Sequence, residues 1–161
     1  MEELPGCWRE AARADSVATE LLRIRNILTP TPPLLSSPSS SPSPSSSTST
    51  STPPPSSDYD IQTAIIRYVE QTSHMLRDLH DLFPVYRARI PMIIYYLRVI
   101  LPCLQKSLMD MLVFLRCEDF APRVQWERMH ERLNQQGGLS LQMRFVTYAD
   151  FLVQLVRLLT R

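Results

Sequence analysis

The side chains with well-known chemistry are few and scattered in this chain of 161 residues. The histidines are His74, His80 and His130, and Glu127 stands three residues before His130. Ferritin-like bundles use such a Glu-x-x-His unit to bind two irons, but they need the unit twice, plus a Glu from each of two other helices. Because the unit occurs once here, we expect a solvated Glu127, a surface or hydrogen-bonded His130, and no metal site.

The three cysteines do not suggest a disulfide framework or a nucleophile. Cys7, Cys103 and Cys117 are odd in number and lack a Cys-x-x-Cys spacing. On one helix, Cys103 and Cys117 would be about 21 Å apart, whereas a disulfide requires Cα atoms within about 7 Å. Both stand among apolar residues, where the pKa of a thiol rises and its reactivity falls. We therefore expect reduced thiols in an intracellular protein, cytoplasmic or nuclear.

Glycine content and charge argue against two further classes of site. The glycines are Gly6, Gly137 and Gly138, which is too few for a GxGxxG or P-loop phosphate cradle. The net charge is +1 and the two signs alternate along the chain, whereas a nucleic-acid site needs a patch of one sign. The sequence predicts a non-enzymatic protein with no catalytic residue, no cofactor and no nucleic-acid partner.

Every residue from Ser36 to Ser57 is Ser, Thr or Pro. Without apolar side chains the tract cannot offset the entropy of ordering, so residues 30–57 are predicted to be a disordered linker. Proline-directed kinases recognise Ser-Pro and Thr-Pro pairs, and each phosphate would add nearly two negative charges. The candidate phosphosites are Ser37, Ser41, Ser43 and Thr52.

Residues 1–29 are predicted to form an N-terminal amphipathic helix. Val17, Leu21, Ile24 and Leu28 recur at spacings of three and four, as they do on one face of a helix. An isolated helix of this length is marginal in water, so the apolar face must pack on something. These four residues are the candidate interaction site.

Residues 58–161 are predicted to be a helical bundle domain. Apolar stripes of helical period follow residue 60, residue 90, Pro122 and Ser140, and no stretch alternates with the period of a strand. The stripe after residue 90 continues through Pro102, which predicts one long helix kinked there. Arg98 and Lys106 interrupt this apolar segment, so it is predicted to be buried rather than transmembrane. The predicted fold is all-α, an up-down bundle of about four helices plus the tethered N-terminal helix.

Three stretches of the bundle segment resemble a group of uncharacterised proteins from filamentous fungi. They are "VILPCLQKSLMDM", "WERMHERLNQQGGLSL" and "RFVTYADFLVQLVRLLTR". The resemblance covers about residues 59–161. It implies a Ser/Pro-rich region followed by a helical domain, a further basic helical segment beyond the Leu-Leu-Thr-Arg end, and no activity or functional residue that could be carried over.

Two functional hypotheses follow. The first is a protein-interaction module whose tethered helix docks on its own bundle or on a protein partner, with self-association as another possibility. The alternative is a small-molecule or metal-binding bundle with an apolar cavity lined by Met75, Met92, Tyr95, Tyr96, Cys103, Met109 and Met111. Membrane contact by the N-terminal helix is not favoured, because its polar face is of mixed charge rather than basic.

Overall fold

The computed structural model describes residues 6–29, 56–136 and 138–161, and these residues form five α-helices. The prediction of an all-α helical bundle is confirmed. The helices are α1 (Cys7–Leu28), α2 (Ser56–Leu82), α3 (Ile90–Leu115), α4 (Pro122–Gln135) and α5 (Leu141–Thr160), with one 3-10 turn at Arg87–Arg89 before α3.

The four long helices alternate in direction along the chain, and they form a ring in the order α1, α2, α5, α3, in which the neighbours α1 and α3 run parallel. The antiparallel pairing of α3 and α5 is visible at both ends. Ser107 Oγ lies 2.9 Å from the Tyr148 hydroxyl, while Arg89 donates to the carbonyl of Leu158 at 3.2 Å. Because α2 and α3 lie diagonally across the ring, α1 fills the space between them on one side and α5 fills it on the other.

The short helix α4 lies across one end of the ring rather than along it. Gln125 of α4 donates a hydrogen bond to the carbonyl of Leu115 at the end of α3. The charge of Asp58, at the start of α2, acts on the pKa of His130 in α4. The sequence had suggested α4 as one of the bundle helices and α1 as an addition to it. In the structure α1 completes the ring and α4 closes its end.

A serine cap and two prolines mark the starts of three of the helices. Ser140 Oγ accepts a hydrogen bond from the Met143 amide at 3.2 Å, as an N-cap does. Pro91 and Pro122 occupy the first turns of α3 and α4, where a missing N–H has no cost. The helix α2 begins at Ser56, two residues before the predicted domain boundary, and residues 30–55 of the predicted linker lie outside the described residues.

The long helix α3 continues through Pro102 without a break. Its buried face includes Ile93, Leu97, Leu104 and Leu108, which are 0% exposed and pack toward the other long helices. Pro102 itself is exposed on the opposite side. The loss of one backbone hydrogen bond at a proline therefore falls on the solvent side of α3.

Candidate functional site

The site is the groove between α2 and α3 that α1 occupies, closed at one end by α4; we call it the α1 groove. Three of the four candidate interaction residues, Val17, Leu21 and Ile24, are 0% exposed. The fourth, Leu28, is partly buried against the same core. The N-terminal half of the buried face is made of small residues, Ala11 among them, which allow close approach of the backbones.

Polar contacts with α2 fix the position of α1 along the groove. Ser73 is buried, and its hydroxyl lies 2.6 Å from Asp15 Oδ1 and 3.2 Å from the carbonyl oxygen of Ala11. Arg77 forms an ion pair with the other carboxylate oxygen of Asp15. Because a buried hydroxyl is costly unless it is hydrogen-bonded, the contact between Ser73 and Asp15 disfavours other registers.

An aromatic contact holds the N-terminal end of α1 on α2. The guanidinium of Arg77 lies 4.5 Å from the centre of the Trp8 ring, and the ring of His80 lies 5.5 Å from it. Trp8 is 53% exposed, so this cation–π contact is a modest contribution of the order of 0.5–1 kcal/mol.

At the opposite end, Arg23 of α1 reaches the junction of α3 and α4. Its Nη2 donates to the carbonyl of Leu115 and to Gln125 Oε1, each at 3.3 Å. Gln125 is buried and donates to the carbonyls of Leu115 and Cys117. A cation is favoured at a helix C-terminus, where carbonyls lack intrahelical partners, so Arg23 fits the end of α3.

The N-terminal turn of α1 buries a thiol next to a carboxylate. Cys7 is 0% exposed, and burial, with a smaller effect of the Glu10 charge, raises its pKa to about 12. Glu10 is itself buried and accepts from Arg13 at 2.6 Å. The Cys7 thiol therefore stays protonated and unreactive for as long as α1 is docked.

The three cysteines form no disulfide, as predicted. Cys103 is exposed on the outer face of α3, although its apolar neighbours in the sequence had suggested burial. Cys117 is half-buried in the turn after α3. The thiols thus differ widely in accessibility.

The Glu-x-x-His unit is not part of a metal centre in the described residues. Glu127 is exposed, whereas His130 stacks on Trp126 with ring centres 4.8 Å apart and lies 3.0 Å from Asn134 Nδ2. In the part of the chain that the structure describes, no three His, Cys, Asp or Glu side chains are grouped as metal ligands would be.

His130 makes stability depend on pH. Burial lowers its pKa, and the charge of Asp58 offsets only part of this. Below the ordinary histidine pKa of about 6.5 the unfolded chain binds a proton that the folded chain resists. We expect the urea midpoint to fall as the pH is lowered through that value, and to fall less in a His130→Gln variant.

Among the remaining candidates, the proposed cavity residues do not line a common interior space. Met111 is buried in the core, while Met92, Tyr95, Tyr96, Cys103 and Met109 are exposed on other sides of α3. The candidate phosphosites Ser37, Ser41, Ser43 and Thr52 lie outside the described residues.

The comparisons with known proteins add no assignment. The chain matches no protein-family model, no curated protein and no solved structure at a significant level. The resemblance to the fungal proteins therefore stays a prediction. In residues 6–29, 56–136 and 138–161, every helix is too short or too polar to cross a membrane.

The polar contacts of the α1 groove could not be read from the sequence. Asp15 and Ser73 are 58 positions apart and Arg23 and Gln125 are 102 positions apart. Each is an ordinary residue for a solvated helix face, and nothing in its local pattern indicates a distant partner. The apolar period of α1 was the only signal in the sequence that pointed to this groove.

Proposed function

We propose that this protein is a non-enzymatic interaction module in which α1 is a tethered helix that docks in a groove of its own bundle. A protein partner that presents a similar amphipathic helix would compete for that groove. The supporting observation is that Val17, Leu21 and Ile24 place their whole apolar stripe between α2 and α3.

The contacts of α1 are those of helix-in-groove recognition, in which an amphipathic helix presents residues at spacings of three and four to an apolar trough. The apolar stripe supplies most of the binding free energy. The contacts of Asp15 with Ser73 and of Arg23 with Gln125 define direction and register. A competing helix would therefore need an acidic side chain and a basic side chain at the same spacing, eight residues apart.

The chain connecting α1 to α2 makes self-docking efficient. The sequence predicts that residues 30–57 are a disordered linker, and a linker of this kind gives an effective concentration of about millimolar at the groove. A free partner helix must then bind much more tightly than α1 or be present at a high concentration. Any change that weakens the docking of α1 makes the groove more accessible to a partner helix.

Binding of α1 supplied as a separate peptide tests this proposal. A fluorescent peptide of residues 6–29 should bind a chain carrying Leu21→Asp, because the aspartate expels α1 from the groove. It should bind the unmodified chain at least tenfold more weakly, since the groove is occupied. Fluorescence anisotropy measures both affinities, and circular dichroism establishes that the variant chain is still helical.

A matched peptide that carries the same Leu21→Asp change is the control and should bind neither chain. Self-docking is contradicted if the helical variant chain fails to bind the unmodified peptide, or if both chains bind it with equal affinity.

A further inference from the structure

The outer side of α3, opposite its buried face, displays a second stripe, which is apolar at six of its seven positions. Its positions are separated by three and four residues in strict alternation over six turns, which is the seam pattern of a coiled coil. We call these residues the outer stripe; they are Met92, Tyr95, Val99, Pro102, Lys106, Met109 and Val113.

The exposure of this stripe is unusual for a helix of a monomeric bundle. Tyr95 is 68%, Val99 58% and Val113 70% exposed in the described part of the chain. A stripe of 22 residues is about 32 Å long, and with a width of about 10 Å it covers roughly 300 Å². This area is at the lower end of the largest apolar patches on monomeric proteins, which are often functional. The helix is already held by the bundle, so docking on it has no cost for helix formation.

The charges of the stripe do not select an acidic or a basic partner. Lys106 Nζ forms a 2.9 Å ion pair with Asp110 Oδ2 one turn later, so the surface is locally neutral. A neutral apolar seam fits another neutral apolar seam. In a symmetric dimer the same patch must also be complementary to itself.

From this pattern we propose that the outer stripe binds the outer stripe of a second copy of this chain, in antiparallel orientation, with the twofold axis beside Pro102 and Cys103. Antiparallel pairing then opposes residues whose numbers add up to about 205. The four pairs are Met92 with Val113, Tyr95 with Met109, Val99 with Lys106, and Pro102 with itself.

The residues that flank the seam are also complementary in this register. On one side the hydroxyl of Tyr96 faces Asp110 of the second copy, and Cys103 faces the second copy's Cys103. On the other side Arg98 faces Gln105 of the second copy. A parallel arrangement would instead place Lys106 against Lys106, which like-charge repulsion disfavours.

This surface and the α1 groove lie on different sides of α3, so the inference does not depend on the docking of α1. If the chain is monomeric in solution, the dimer proposal is wrong and the self-docking proposal is unaffected. Exchange of α1 between two copies would also give a dimer, but that dimer would not use the outer stripe.

Two substitutions of one residue test the register. Val99 faces Lys106 of the second copy, so Val99→Lys should raise the dimer dissociation constant at least tenfold, whereas Val99→Glu should leave it unchanged or lower it. Both residues are exposed in the monomer, so neither change should affect folding. Sedimentation velocity of the full chain over a wide range of concentrations measures the constants.

Cross-linking gives the position of the axis. A short bis-maleimide, which adds to one thiol at each end, should join Cys103 to Cys103, and Cys103→Ser should abolish the linked dimer. The proposal is overturned if the chain is monomeric at every concentration, if the two Val99 variants weaken the dimer equally or not at all, or if the link forms through Cys117.

Discussion

Replacement of Leu21 by alanine is expected to lower the free energy of unfolding of the whole bundle by about 2–5 kcal/mol. Leu21 is 0% exposed in the middle of α1, where it packs into the core formed with α2 and α3. The loss combines the transfer free energy of the removed carbons with the cavity that remains, because neighbouring side chains relax only in part. Urea unfolding followed by circular dichroism measures this change.

Ile27→Ala is the matched control on the same helix. Ile27 is 52% exposed, so a similar loss of side-chain carbon should change stability by no more than about 0.5–1 kcal/mol. If α1 lay outside the cooperative unit, the two substitutions would have equal and small effects on the bundle transition. Equal effects would therefore contradict the placement of α1 in the ring.

The second large effect concerns the reactivity of Cys7. At about pH 8, a thiol with its pKa raised to about 12 has a thiolate fraction on the order of a thousandfold lower than an ordinary cysteine. Complete burial adds a steric barrier on top of this. We expect maleimide or iodoacetamide to modify Cys7 at least a thousandfold more slowly in the native chain than in the chain unfolded in urea.

Cys7 also reports on docking, because its thiol is buried only while the start of α1 lies in the groove. Leu21→Asp should restore most of its reactivity, whereas Asn26→Asp, on the exposed side of α1, should not. The two variants add the same charge to the same helix, so a difference between them measures docking rather than net charge.

The sequence was sufficient to predict the helices and their buried faces, because these depend on local periodicity. The period of Val17, Leu21 and Ile24 indicated the face of α1 that is buried, and Ser140 indicated the start of α5. These signals are local, since each one involves residues within a few turns of one helix.

The arrangement of the helices was harder to predict from the sequence than the helices themselves. That α1 rather than α4 completes the ring depends on contacts such as those of Asp15 with Ser73 and of Arg23 with Gln125, whose partners are far apart in the sequence. Local periodicity is the same whether a helix lies along the ring, as α1 does, or across its end, as α4 does.

The two faces of α3 are another feature that the sequence did not predict. The sequence is apolar on both sides of this helix, and a run that is apolar all round is typical of a fully buried helix. The same pattern placed Cys103 among the candidate residues of an apolar cavity. In the structure Cys103 is exposed although its neighbour Leu104 is buried, because successive residues of a helix point about 100° apart.

Quantitative alkylation of Cys7, followed by mass spectrometry of the full chain, is the most direct test that α1 docks in the groove between α2 and α3. We predict that Cys7 is protected by at least a thousandfold in the native chain and that Leu21→Asp removes most of this protection. Cys7 that reacts in the unsubstituted native chain as fast as in the unfolded chain would contradict the docking of α1.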